Sequence, residues 1–407
     1  MTGSARSWWP RAALRRDEDL DLERKVSWLE LFFDLVFVVV LSRLAHDLAQ
    51  QPDLGHVLDF GLLFAAVFWS WNAFTFYTER FESDGLEHRF FVFAAMAAVA
   101  AMAVFTEGGL DVHRHGFVWA YLAVRAVNMA QWVRAGLHVP AFRPVALRFL
   151  GGFFLSAGCV VSAAQLDGTS RRWVFAAAVL TDVLTPVLTL KHQTGLPRLS
   201  TSKFPERFGL FTILVLGETV AGVITGVSGI NEAGQLGIRQ LLDGGLGLLI
   251  GIGLWWTYFD FIARRPPKPL LSTTLGWVYL HLLTLAAVTA TGAAIRLAIG
   301  QSLDHRLSAD VRYLLVGSVV TALAGLAALE TTLARSEDEP TRAVLSPAVK
   351  TAVAGGLLAV GWVDLGWSTT ALLSVIVGGL TVPAAHGATA WYSPKNARGT
   401  DYERSAP

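Results

Sequence analysis

Long apolar runs, separated by short polar and mostly basic stretches, dominate this chain. A membrane-spanning helix needs roughly 20 mostly apolar residues. Twelve windows approach or meet that need: 28–48, 57–78, 88–106, 116–137, 145–165, 172–190, 206–226, 242–263, 275–298, 311–333, 346–362 and 366–390. The pattern predicts an all-α integral membrane protein of about twelve transmembrane helices. The first window, opening at Trp28, and the eleventh, with Lys350 inside it, are the weakest taken singly. The connections are short, so no soluble domain is inserted between spans. The reading divides the chain into a charged tail over 1–27, expected to be partly disordered, a membrane half over 28–190, a linker over 191–205, a second membrane half over 206–390 and a tail over 391–407.

Loop charge adds an orientation, because Lys and Arg accumulate on the cytoplasmic side of membrane proteins. With the N-terminus inside, the cytoplasmic segments hold 23 of the 33 basic residues. The external loops hold five: Arg114, Arg171, Arg172, Arg239 and Arg306. Both ends are therefore expected inside. The chain also looks duplicated. Trp69-Ser70-Trp71, Phe76-Tyr77 and Arg80 near the end of span two match Trp255-Trp256, Tyr258-Phe259 and Arg264-Arg265 near the end of span eight. His88 opens span three, and His281 lies early in span nine. Two six-span halves of equal orientation would be parallel repeats.

Composition agrees with a lipid solvent. The 407 residues are 53% hydrophobic and 16% charged, where soluble domains carry about 25% charged residues. The net charge of +1 says nothing about partners, because the basic residues are segregated by position; no nucleic-acid partner is expected. The lone Cys159 excludes an intrachain disulfide and is expected to be a buried, inert thiol. No cleavable signal peptide is apparent. The sequence indicates no metal site and names no cofactor.

Charged groups at membrane depth are the informative residues, because each is costly there and tends to face a bundle interior. Glu30 and Asp34 lie i, i+4 on span one, about 6 Å apart along the axis. Two carboxylates so placed suit a proton or cation site; alternatively both pair with basic residues of neighbouring helices. Arg43 and Asp47 repeat the spacing near the outer end and read as a structural ion pair. Arg125, in mid span four with Asn128 and Trp132 on one face, needs an anionic partner among Asp34, Glu30 and Asp182. Asp182 precedes Pro186 on span six, a break of the kind that builds midplane ion sites. Glu218 on span seven is flanked by Gly217 and Gly222, which would allow close helix approach. His88, Asp260 and His281 are secondary candidates, the histidines because they titrate near neutral pH. The run from Gly244 to Gly253 reads as helix packing, and Trp255, Trp256 and Tyr258 as an interfacial aromatic belt.

Two stretches carry a family resemblance. Trp28-Leu29-Glu30-Leu31-Phe32-Phe33-Asp34-Leu35-Val36-Phe37-Val38 resembles the N-terminal signature of the bacterial low temperature requirement A proteins. Glu206-Arg207-Phe208-Gly209-Leu210-Phe211 through Leu216-Gly217-Glu218-Thr219-Val220 resembles their second signature, with Thr219 where Ser is common. Leu283 stands where the family often has Pro. The resemblance spans about 25–390 and implies a multi-pass protein of the bacterial plasma membrane, but no reaction.

The expected function is a secondary transporter or an ion- or proton-translocating protein, with membrane lipids and a small solute or ion as partners. Glu30, Asp34 and Glu218 would bind the ion, and Arg125 and Asp182 would form a charge-compensating pair beside it. The alternatives are a membrane-embedded enzyme acting on a lipid or hydrophobic substrate, with Glu30 and Asp34 as acid and base, or a non-catalytic membrane protein supporting cold adaptation.

Overall fold

The computed structural model describes residues 11–14, 26–82, 85–108, 110, 114–197, 199–263, 265–304, 306–335, 341–363 and 365–391. Most of the two tails, Arg264 and the side chain of Arg114 lie outside the described residues. The fold is all-α. Its long helices are α1 (Trp28–Leu48), α2 (Leu54–Arg80), α3 (Leu86–Val104), α4 (Arg114–His138), α5 (Arg143–Ala164), α6 (Gly168–Leu188), α7 (Lys203–Glu232), α8 (Ile238–Phe261), α9 (Leu271–Gly300), α10 (Ala309–Thr332), α11 (Leu345–Trp362) and α12 (Thr369–Trp391). Among the described residues, nine of these are long and apolar enough to cross a membrane. The other three, α1, α4 and α6, carry Glu30 and Asp34, Arg125, and Asp182.

Those three helices explain themselves by what they bury. On α1, Glu30, Asp34, Phe37 and Leu41 are buried, while Trp28, Phe32, Leu35 and Val39 are exposed along the opposite stripe. On α4, Arg125 and Asn128 are buried, and Trp119, Val133 and Leu137 are exposed. On α6, Asp182 is buried, and Trp173, Leu180, Leu184 and Val187 are exposed. Charge inside and large apolar side chains outside is the reverse of a water-soluble helix. Such a surface is at home in hydrocarbon.

The chain forms two compact units, Met1–Phe211 with Pro269–Leu275, and Thr212–Lys268 with Gly276–Pro407. In the first, α1 packs on α2 and α3, and α3, α4, α5 and α6 follow each on the last. Helix α2 also meets α4 and α6, and its second half is buried almost without interruption from Leu63 to Arg80. Capping starts its helices. Ser27 Oγ accepts the N–H of Glu30 at 3.2 Å while Glu30 Oε2 accepts the N–H of Ser27 at 2.9 Å, a reciprocal box. Asp53 caps α2 through the N–H groups of Gly55 and His56.

A short stretch of the N-terminal tail joins the fold. Ala13 and Leu14 form a strand, β1, antiparallel to β2 (Phe81–Glu82) at the end of α2. Ala12 is buried with Tyr77, Phe81, Trp132 and Phe142, and its N–H donates to His138 Nδ1 at 3.2 Å. Three apolar residues in a charged tail sufficed to dock it, a short-range detail that composition averages away.

In the second unit, α10 packs on α11, α11 on α12, and α8 on both α12 and α10. Helices α7 and α9 approach closely where Gly222 faces Gly292: a Cβ on either would collide with the other helix's backbone. Gly217 meets open space instead, so only one of the two glycines predicted to permit close approach does so. The glycine run of α8 packs as expected, Gly244 on Val227, Gly247 on Ile295 and Gly253 on Leu380. Cys159 is half-buried rather than buried.

Candidate functional site

Among the described residues, three buried charge clusters stand out, two of which hold Glu30, Asp34, Arg125 and Asp182. The first lies at the N-terminal end of α1. Lys203 Nζ sits 2.8 Å from Glu30 Oε1, and Arg207 Nη1 sits 3.6 Å from the same oxygen. Arg207 Nη2 donates to Asp34 Oδ1 at 3.0 Å, and its Nη1 donates to Thr78 Oγ1 at 2.9 Å. Trp71 Nε1 donates to Asp34 Oδ1 at 2.7 Å. The guanidinium lies near the rings of Phe33 and Trp71, and Trp71 stacks on Phe211 with centroids 4.2 Å apart. Two acids thus meet two cations, and the hydrogen bonds are used up. Of the two readings that the sequence left open for these carboxylates, this is pairing with basic residues of another helix: Lys203 meets Glu30, and Arg207 meets both acids. Neither partners Arg125.

The second cluster lies between α4, α5 and α6. Arg125 Nη2 donates to Asp182 Oδ1 at 2.5 Å. Tyr121 Oη and Ser156 Oγ both donate to Asp182 Oδ2, at 2.7 and 2.8 Å. The Arg125 guanidinium sits 4.3 Å over the Phe153 ring. Of the three anionic partners the sequence allowed Arg125, the structure selects Asp182. Spacing placed Arg125, Asn128 and Trp132 on one helical face, and all three are buried, as is Tyr121. This layer is not saturated. Among the described residues, Arg125 Nε and Nη1, both amide atoms of Asn128 and of Gln131, Trp132 Nε1 and Asn72 Oδ1 are buried without a hydrogen-bond partner. Of these residues Asn72 and Trp132 line a cavity of about 30 Å³, together with Trp69, Phe153, Asp182 and Gln193, among others.

The third cluster, in the second unit, was missed. Lys350 Nζ donates to Glu330 Oε2 at 2.8 Å and to Ser346 Oγ at 2.9 Å, and Ser346 Oγ donates to Glu330 Oε2 at 2.9 Å. Arg265 Nη2 sits 3.3 Å from Glu330 Oε1, and the Lys350 ammonium lies 3.4 Å over the Phe261 ring. The sequence did carry a signal, a lysine inside an apolar window with Ser four residues before it. Lys203 and Arg207 were missed as site residues because they read as loop charge setting orientation. Tyr121 and Ser156 were missed because hydroxyls are common in membrane helices.

The remaining candidates fall as follows. Asp47 accepts the N–H of Gly108 at 3.1 Å. Glu218 is buried on α7 in the second unit, next to Thr219, whose hydroxyl donates to the carbonyl of Leu216. His281 is buried, its Nε2 3.0 Å from Tyr258 Oη and its Nδ1 2.9 Å from the carbonyl of Trp277. A carbonyl only accepts, so Nδ1 carries the proton and Nε2 is left to accept from the tyrosine. Asp260 accepts from Trp256 Nε1 at 2.6 Å. His88 is half-buried on α3. Among the described residues, no group of three or more His, Cys, Asp or Glu could hold a metal ion.

Apolar helices with outward apolar faces and inward charges define a multi-pass α-helical membrane protein. Residues 25–382 match the model of the bacterial low temperature requirement A protein family, and the chain belongs to that family. It is also 25% identical, over 304 residues, to an uncharacterized protein of Rhizobium meliloti (strain 1021), a match covering 71% of this chain and 72% of that one.

Proposed function

We propose that the protein is a secondary transporter or ion-translocating protein of the bacterial plasma membrane, with twelve spans, both ends cytoplasmic and two parallel six-helix halves. Among the described residues, long helices fall at the positions of the predicted windows, which supports the count. The three that fall short as plain apolar segments, α1, α4 and α6, turn apolar faces outward. The distribution of 23 basic residues against five supports the orientation.

One observation carries the transport reading: the buried Arg125–Asp182 pair lies in a layer of unpartnered polar groups beside a cavity. A purely structural pair needs saturation, because each unmet buried polar group costs roughly 1–3 kcal/mol. Groups left open at that cost are ready to receive something else. On this reading Asp182 and Arg125 handle the cargo, Glu218 is a further proton or cation site, and the saturated Glu30–Asp34 cluster is a clamp.

Reconstitution into liposomes with pH- and potential-sensitive dyes tests the proposal. Wild type is expected to pass protons or charge when candidate solutes are supplied, and Asp182→Asn and Glu218→Gln to lose most of that flux. Flux at the empty-liposome level for the wild type, with every solute class tried, removes the transport reading.

A further inference from the structure

The groups that face the cavity are fewer than those of the layer around it, and they are balanced. Trp132 of α4 brings one unpartnered donor, Nε1, and Asn72 of α2 brings one unpartnered acceptor, Oδ1. Both residues are only 3% exposed. Asp182 of α6 adds a carboxylate. Arg125, Tyr121 and Ser156 already donate to it, but a carboxylate offers about four acceptor sites, so it can take a further bond. An occupant matched to this lining must both donate and accept.

Charge and size narrow the choice. Arg125 and Asp182 cancel, so a lone ion would leave net charge in a low-dielectric layer, at high cost. A buried water needs roughly 10–15 Å³ and a few polar partners. A cavity of about 30 Å³ with three polar groups on its wall therefore suits about two waters.

Gln193 stands at the loop side of the cavity. It ends a short turn of helix, Leu190–Gln193, that follows α6. Its side chain folds back toward α6, where Nε2 donates to the carbonyl of Pro186 at 3.1 Å and to Thr189 Oγ1 at 3.0 Å. Its Oε1 accepts from Arg80 Nη2 at 3.4 Å, and Arg80 Nη1 donates to the carbonyl of Pro197 at 3.3 Å. Both Pro186 and Gln193 line the cavity. Each of these bonds has a modest net worth, so the amide can swing out and return.

We propose that the cavity holds about two waters bridging Trp132 Nε1, Asn72 Oδ1 and the Asp182 carboxylate, and that Gln193, steadied by Arg80, is the gate through which they exchange with the loop end of α6. With the gate open, a water gives a proton to Asp182 as it takes one from the water behind it, and release runs the same transfers backward. This deepens the transport reading by giving Asp182 a proton route. It rests on that reading only for its purpose, since hydration is measurable without flux.

Nuclear magnetic resonance of the purified full chain in detergent, with isotope-labelled tryptophan, reads the site directly. Trp132→Phe deletes one indole signal and so assigns the Trp132 N–H. Wild type is expected to show a nuclear Overhauser contact between that N–H and long-lived water. Gln193→Ala is expected to speed its exchange with deuterated solvent at least about tenfold, the equivalent of about one net hydrogen bond lost from the gate. Should that variant fail to fold, Gln193→Asn, shorter by one methylene, makes the same test. Ala73 also lines the cavity, and Ala73→Leu, which fills it, is expected to abolish the water contact while keeping a cooperative thermal transition. The proposal is overturned by a wild-type Trp132 N–H without a water contact, by an unchanged exchange rate in the folded Gln193 variant, or by a water contact that survives in Ala73→Leu. A water contact without liposome flux would sink the transport reading alone; flux with a dry Trp132 would sink this one alone.

Discussion

The Asp34 and Asp182 clusters are built from the same parts and finished differently. Each sets a buried aspartate against a buried arginine, with an aromatic ring close to the guanidinium. Around Asp34, two acids face two cations, and Trp71 and Thr78 take up remaining bonds. Around Asp182, the carboxylate is satisfied by three donors, but the arginine and its neighbours on α4 are not. The lesson is that a buried charge is not by itself a functional site. The accounting of its partners separates a clamp from a receptor, because desolvated polar groups must be paired somewhere.

The largest expected effect comes from breaking the clamp. Arg207→Leu strands Asp34 beside Glu30, and should cost ~3–5 kcal/mol of stability, the usual penalty for an unpaired buried charge. The check is the thermal midpoint by circular dichroism in detergent. A midpoint within a degree of wild type would mean that the cluster is not a clamp.

The sharper comparison uses one chemical change at two places. Trp71 and Trp132 both stack on a phenylalanine at 4.2 Å, but only the Trp71 N–H has a partner, Asp34. Trp71→Phe should therefore cost about 1.5–3 kcal/mol more than Trp132→Phe, the value of a hydrogen bond to a charged group. Equal losses in denaturant or thermal unfolding would erase the distinction between the two regions. In liposomes the order should invert, with Trp132→Phe the more damaging per folded molecule.

Asp34→Asn and Asp182→Asn make the same separation through charge. The first should lower the thermal midpoint and leave flux per folded molecule near wild type. The second should lose most of the flux. Matching flux losses would return Asp34 to the transport path. The smallest effect is local: Ser27→Ala removes the cap of α1 and should cost about 1 kcal/mol, as N-caps do, read as a modest fall in midpoint with no change in transport.

Much of the fold was legible because a lipid solvent writes strong patterns. Apolar windows marked the positions of the long helices, and the two signature stretches marked the family. Helices α1, α4 and α6 fall short as plain apolar segments because the residues that matter interrupt them. Arg125 and Asp182 could be seen as needing partners from depth alone. The third cluster was not read, although Lys350 stood out inside a span, because no local pattern ties it to Glu330, 20 residues earlier.

By itself, then, the sequence determined the helical class, the windows, the family and which charges had to be buried, since hydropathy and desolvation act on residues one at a time. Only the tertiary structure decided that Asp34 belongs to Arg207 and Asp182 to Arg125, that Gly222 and not Gly217 admits a neighbour, and that one cluster is closed while the other is open. Those outcomes depend on which side chains from distant segments come within about 3 Å, the range at which hydrogen bonds form. No local pattern encodes that distance.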